Sequence, residues 1–150
     1  MADAPTILII EARFYEDIAD ELVAGAVAVL EAAGCTIDRL SVPGVFEIPA
    51  ALSMALESAA SGLGPAHDGF VLLGCVIRGE TSHFDIVATQ SARAVMDLSV
   101  AHGLALGNGI QTVENIDQAW RRARVGELDK GGGAAQAALA MVELKRGLGL

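Results

Sequence analysis

Residues Gly69 to Val87 read "GFVLLGCVIRGETSHFDIV", and the change of character at Arg78 inside this stretch decides the fold. Gly69–Ile77 is wholly apolar and shows no alternation, which predicts a strand covered on both faces. Arg78 to Ser82 forms a polar turn, and a long helix is predicted from His83 to about His102. A buried strand that feeds a helix belongs to a parallel sheet, so its neighbours should repeat the pattern.

They do. "TILIIEA", Thr6 to Ala12, is a short apolar run of the same kind. From Glu16 onward, Ile18, Leu22, Val29 and Leu30 fall near one helical stripe, acids crowd the first turn, and Gly34 supplies a left-handed stop. "TIDRLSV", Thr36 to Val42, is a further strand, ended by Pro43 and Gly44. The segment Phe46 to Gly62 is predicted as a helix with Pro49 tolerated in its first turn, where the missing amide has no intrahelical partner. Leu104 to Val113 is a weaker strand, and Asn115 caps the next helix with Gln118 placed as in a capping box. Lys130 and the glycines after it are expected to separate that helix from a final one rich in alanine and leucine.

Strands alternating with helices imply a three-layer α/β/α sandwich around a flavodoxin-like, four-stranded parallel sheet in the order 2-1-3-4. The whole chain, residues 1–150, reads as a single domain, long enough to bury one core without disulfides or metals. Apolar residues make up 53% but aromatics only 4%, so tightly packed aliphatic elements are expected, with enough apolar surface left to suit a subunit of an assembly.

Nineteen acids against ten bases give a net charge of −9, and no lysine or arginine run offers a polyanion track, which argues against nucleic acid as a partner. Arg13, Arg78, Arg122 and Lys130 stand out because an anionic substrate needs local positive charge on such a background. Cys35 and Cys75 lie far apart without a metal-ligand or redox spacing, so no metal is expected and both are read as buried thiols of a reducing cytosol. No stretch has the pattern of a membrane span or a cleaved leader, and a cytoplasmic protein is the expectation.

In open α/β sheets ligands bind outside the carboxyl ends of the strands. That rule selects "EARFYE", "VPGVFEIP", "RGETSHFD" and "GIQTVEN", all expected to rim one edge. The helix start at Gly79 to Ser82 leaves amides free to cradle a phosphate, with Thr81 and Ser82 assisting; the same hydroxyls equally suit a helix cap. His83 beside such a turn is placed to shuttle protons near neutral pH, or it is a surface histidine without consequence. Phe14 and Phe46 occupy strand-end loops where a flat heterocycle can stack, although isolated phenylalanines are more often core. Glu47 accepts from a polar ligand tail or sits in a helix first turn.

With these residues on the page, the chain resembles the lumazine synthases. "VPGVFEIPAAL", "GCVIRGETSHFDIV", "TVENIDQAW" and "DKGGGAAQAAL" resemble that family's signatures, in the same order, and the similarity runs from about Thr6 to Lys145. The resemblance implies a transferase of riboflavin biosynthesis that needs no cofactor. It would condense 5-amino-6-(D-ribitylamino)uracil with 3,4-dihydroxy-2-butanone 4-phosphate through a Schiff base, releasing phosphate and water. By the same resemblance His83 is the proton-transfer residue, and Phe14 stacks on the pyrimidine. Val45, Phe46 and Glu47 hold the ribityl chain, the backbone at Cys75, Val76 and Ile77 reads the ring edge, and Glu80, Thr81 and Arg122 bind the phosphate. Lys130 is a further candidate.

The resemblance also implies a homo-oligomer, pentameric or built from pentamers, with each site shared between neighbouring subunits and with riboflavin synthase as a candidate partner. Asn108 would then enter a neighbour's site where many relatives carry phenylalanine, and Tyr15 stands where asparagine is common. The region Arg124 to Leu128 lacks the glycine-rich turn of shell-forming members, which favours a free pentamer. The Asn108 departure is the one feature favouring an alternative, a non-catalytic flavin- or lumazine-binding or shell-forming paralogue. Retention of His83, Arg122 and the "GET" turn together favours an enzyme.

Overall fold

The computed structural model describes residues 3–150, and Met1 with Ala2, which the one-domain expectation includes, lies outside the described residues. Four strands, β1 (Thr6–Ala12), β2 (Thr36–Val42), β3 (Gly69–Ile77) and β4 (Leu106–Val113), form one sheet in the order β2-β1-β3-β4. All three pairings are parallel. Ile7 and Leu8 of β1 lie opposite Gly69 and Phe70 of β3, while Cys75, Val76 and Ile77 lie opposite Gln111, Thr112 and Val113 of β4. This is the three-layer architecture and strand order that the sequence implied.

The alternation of side chains along β1 separates two cores. Ile7 and Ile9 face helices α1 (Glu16–Ala32), α4 (Ile116–Ala123) and α5 (Lys130–Gly147), whereas Leu8, Ile10 and Ala12 face α2 (Ile48–Ala60) and α3 (His83–His102). Fully burying each of the large aliphatic side chains contributes about 1.5–3 kcal/mol, and Ile7, Ile9, Ile10, Leu22, Leu30, Leu72 and Leu73 are all completely enclosed. β3 runs down the middle with its residues from Gly69 to Cys75 buried, which is why it could be read as an unbroken apolar segment.

Edge strands differ from that picture. β2 is mostly exposed, with Leu40 at 43% of its full accessibility, because one of its edges and much of one face meet no other element of the chain. β4 begins at Leu106 rather than Leu104, since the chain leaves α3 through Gly103 in the left-handed conformation and Leu104 N still bonds back to Ser99 O.

Two boundaries depart from the sequence expectation. Val45–Glu47 is a single 3-10 turn and the α-helix begins only at Ile48, with Pro49 in its first turn. More consequentially, Gly131–Gly133 do not separate helices: α5 starts at Lys130 and takes the glycines into its first turn, capped by Asp129 Oδ1 accepting from Gly132 N at 3.1 Å. The reason is packing. A Cβ on Gly131 would overlap the carbonyl oxygen of Leu22, and one on Gly107 would overlap that of Ala134, so the glycines let α5 lie directly on α1 and β4. The expected cap at Asn115 is present, with Gln118 N donating to Asn115 Oδ1 at 2.9 Å and Gln118 Oε1 accepting from Glu114 N at 2.8 Å.

Candidate active site

At the carboxyl ends of β1, β2 and β3 the connecting turns enclose a pocket of about 350 Å³. β1 delivers Phe14 and Tyr15, the turn after β2 delivers Gly44, Val45, Phe46 and Glu47, and β3 ends in Cys75, Val76 and Ile77. The turn into α3 closes the remaining side with Gly79, Thr81, His83, Phe84 and Val87. Size and mixed lining suit one small heterocyclic ligand with polar groups at one end.

Phe14 and Phe46 are not core residues. Their side chains are 72% and 53% exposed, so two large rings stand open at the mouth of the pocket, where stacking on a flat ligand removes apolar surface from water. Phe14 meets Tyr15 edge-on, with ring centroids 4.9 Å apart at 77°. Val45, by contrast, is buried and anchors its turn in the α2–α3 core, leaving Phe46 and Glu47 to face outward.

The start of α3 has free donors. Among the described residues, the amides of Gly79, Glu80, Thr81 and Ser82 have no hydrogen-bond partner in the chain, while Arg78 N is taken by Val113 O at 3.0 Å. Ser82 is the N-cap residue but its hydroxyl makes no cap bond; His83 N instead donates to Thr81 Oγ1 at 3.3 Å. The amides at the positive end of a 20-residue helix therefore remain available to an anion. His83 sits on that same first turn with its side chain exposed to the pocket.

Two of the arginines that stand out in the sequence are already paired with carboxylates. Arg78 donates from Nε to Glu114 at 2.7 Å and from Nη1 to Asp85 at 3.2 Å, with its guanidinium carbon 4.4 Å from the centre of the Phe84 ring. Arg13 is held by Glu11 and Asp20. Arg122 bonds only the carbonyl of Gln118, at 3.1 Å, and neither it nor Lys130 has a carboxylate partner among the described residues.

Cys75 contributes backbone and bulk rather than a nucleophile. Burial pushes its thiol up to about 11, so it stays protonated at neutral pH. Burial likewise raises the Tyr15 phenol, with the nearby Cys75 adding to the effect.

The pocket thus gathers Phe14, Val45, Phe46, Glu47, Cys75, Val76, Ile77, Thr81 and His83. Glu80 belongs to the same turn but its side chain does not line it, and Arg122, Asn108 and Lys130 lie elsewhere in the chain. Asn108 is on edge strand β4 opposite Leu72, well short of the strand end, where its Oδ1 accepts from Ile110 N at 3.0 Å. The fourth strand-end stretch, Gly109 to Asn115, contributes no lining residue and reaches the turn into α3 through the bonds of Val113 O and Glu114 to Arg78. Phe84 and Val87 line the pocket without having been singled out for it. Their spacing of one and four from His83 places them on one face of α3, a signal the sequence carries.

Comparison with known proteins is consistent with this geometry. A family model described as 6,7-dimethyl-8-ribityllumazine synthase matches residues 4–146. The chain is 64% identical to 6,7-dimethyl-8-ribityllumazine synthase 1 of Rhizobium meliloti over 143 residues, 95% of this chain and 93% of the relative. It is 59% identical to the 6,7-dimethyl-8-ribityllumazine synthase of Agrobacterium fabrum, covering 97% of both chains. With that of Azorhizobium caulinodans it shares 61% identity over 93% of this chain and 86% of the relative.

Proposed function

The chain belongs to the 6,7-dimethyl-8-ribityllumazine synthase family, and from that premise we propose that the pocket at the carboxyl edge of its sheet is where the lumazine ring is made. The reaction is a step of riboflavin biosynthesis, in which 5-amino-6-(D-ribitylamino)uracil condenses with 3,4-dihydroxy-2-butanone 4-phosphate. The observation that carries the site is the convergence of two exposed phenylalanines, a free helix start and His83 on one cavity.

The 5-amino group of the pyrimidine attacks the ketone carbonyl, and loss of water gives an imine. Proton abstraction next to that imine expels phosphate, and the ribityl-bearing nitrogen then closes the second ring with loss of a second water. Each step moves a proton and none needs an electron acceptor, so an imidazole beside the leaving phosphate suffices for acid–base help. His83 takes that role. The amides of Gly79 to Ser82 and the Thr81 hydroxyl receive the phosphate, whose negative charge the helix start favours both before and after elimination.

Phe14 stacks on the pyrimidine, the backbone of Cys75, Val76 and Ile77 reads its edge, and Val45, Phe46 and Glu47 hold the ribityl chain. Holding two substrates in register supplies up to about 10 kcal/mol of the barrier, more than the proton transfers. Glu80 acts through its backbone amide, since its side chain does not line the cavity.

Among the described residues no lysine or arginine lines the pocket of one chain, and Arg122, with Lys130 as a second candidate, has no carboxylate partner and stands outside that lining. We therefore assign the protein to a homo-oligomer, a pentamer or an assembly of pentamers, in which a neighbour supplies Arg122 and the segment around Asn108. Exposed apolar side chains on α3 (Ile86, Met96 and Val100) and the uncovered β2 edge are consistent with such packing. Riboflavin synthase, which consumes the product, is a candidate partner, and a cytoplasmic location suits the pathway; no described helix is long and apolar enough to cross a membrane.

Mixing the purified protein with both substrates tests the function. Lumazine fluorescence should appear with equimolar release of phosphate. Tight pyrimidine binding without turnover would instead leave a binding scaffold.

A further inference from the structure

Glu11 is the only charged side chain among the described residues that is fully buried, at 1% exposure, and the chemistry above does not use it. Its carboxylate lies on the α1 side of the sheet, because Ile7 and Ile9 share that face and side chains alternate along a strand. Three N–H groups saturate it: Arg39 Nε and Nη2 at 2.8 and 2.7 Å, and Arg13 Nη1 at 2.8 Å. The other end of the Arg13 guanidinium is taken by Asp20 on α1, and the Arg13 amide donates to Val42 O of β2 at 3.0 Å.

Burying a carboxylate is unfavourable unless it is paired and hydrogen-bonded, and an apolar residue of similar volume at such a place is often as stable. Conformational definition is the remaining benefit, and here it falls on one residue. Arg13 directly precedes Phe14, which is 72% exposed and packs only edge-on against Tyr15 of its own turn. The orientation of that ring comes chiefly from the turn that carries it; Tyr15 packs on the core beside it, and Arg13 bonds the turn to β1 and α1 through its side chain and to β2 through its amide.

We propose that the buried carboxylate of Glu11, with Asp20 opposite, clamps Arg13 so that Arg13 acts as the positioning residue for the Phe14 ring. The inference rests on the assignment of Phe14 to the pyrimidine. Fork-like bonding of a guanidinium by two carboxylates defines both its place and its plane, which a lysine at the same position could not reproduce. Arg39 completes the pairing of Glu11 from β2 and fixes the carboxylate in place.

The test compares steady-state kinetics of the assembled protein with those of Asp20→Asn, Arg13→Lys and Glu11→Gln, varying each substrate in turn. Asp20 is exposed, so Asp20→Asn folds whatever happens to the buried variants. The expected result is that KM for the pyrimidine rises roughly fivefold in Asp20→Asn and further in Arg13→Lys and Glu11→Gln, while kcat and KM for the phosphorylated ketone stay within about twofold. A clamp with only a structural role would lower thermal stability and leave both KM values alone. Unchanged pyrimidine KM in folded Asp20→Asn and Arg13→Lys overturns the proposal. Failure of the unsubstituted protein to make lumazine would refute the functional assignment instead, which keeps the two outcomes apart.

Discussion

The backbone N–H of His83 and the hydroxyl of Thr81 are joined by a hydrogen bond of 3.3 Å, so the imidazole and the first residues of the free helix start form one turn. A histidine on this turn stands beside whatever anion the amides of Gly79 to Ser82 receive, and proton transfer can accompany departure of that anion.

Removing the imidazole tests the division of labour. His83→Ala is expected to lower kcat about a hundredfold while pyrimidine affinity stays within about twofold, because the ring-binding residues belong to other turns. Single-turnover kinetics with separate titration of the pyrimidine measure both quantities. Parallel loss of binding and rate would make His83 a structural residue.

Arg122 has no carboxylate partner among the described residues, in contrast to Arg13 and Arg78. Arg122→Ala is expected to raise KM for the phosphorylated ketone roughly tenfold, the loss of one charge-assisted hydrogen bond, with little effect on the pyrimidine. An unchanged ketone KM would remove Arg122 from every site in the assembly.

Cys75 makes alkaline stability diagnostic. Its thiol ionises near 9.0 when exposed and at about 11 in the fold. The folded state keeps its proton longer, so the associated stability is complete below pH 9 and is lost as pH rises toward about 11. Denaturant midpoints measured from pH 8 to 10.5 should therefore fall more steeply for the parent than for Cys75→Ala, over the range about 9 to 10.5 that the shift defines. Identical slopes would mean that the thiol is exposed.

Packing of α5 on α1 rests on the absence of a side chain at Gly131. Gly131→Ala forces a Cβ into the carbonyl of Leu22 and is expected to destabilise the protein by about 2–4 kcal/mol, read from chemical denaturation. Gly133→Ala, where a Cβ meets open space, is the matched control and should be neutral or stabilising.

Strands whose physics is local were legible in the sequence. β1 and β3 are enclosed on both faces, so their composition alone announces them, and α3 begins and ends where its turn residues said it would. The first turn of α5 was not legible, because glycine lowers helix propensity and only the contact with Leu22, a partner distant in the chain, makes three glycines the right residues there. Site residues divide on the same line. His83, Phe14 and the Val45–Glu47 turn were selected by the rule that ligands gather at carboxyl strand ends, and three of the four stretches it selects line the pocket.

What single-chain geometry leaves apart is equally physical. Asn108 and Arg122 were assigned through family resemblance, and one chain does not bring either to its own pocket. The clamp on Arg13 was missed because Glu11 sits in an apolar run where a strand reading expects no carboxylate, and its partner Arg39 is 28 residues away. A charge inside an otherwise apolar strand was the available signal.

The most direct test is a crystal structure of the assembled protein soaked with inorganic phosphate and a pyrimidine analogue whose 5-amino group is replaced by nitro, so that no imine can form. The analogue is expected flat against Phe14 with its edge on the backbone of Cys75 to Ile77, and the phosphate on the amides of Gly79 to Ser82 within reach of His83. Either ligand bound away from that carboxyl edge, with the pocket left to solvent, would contradict the account.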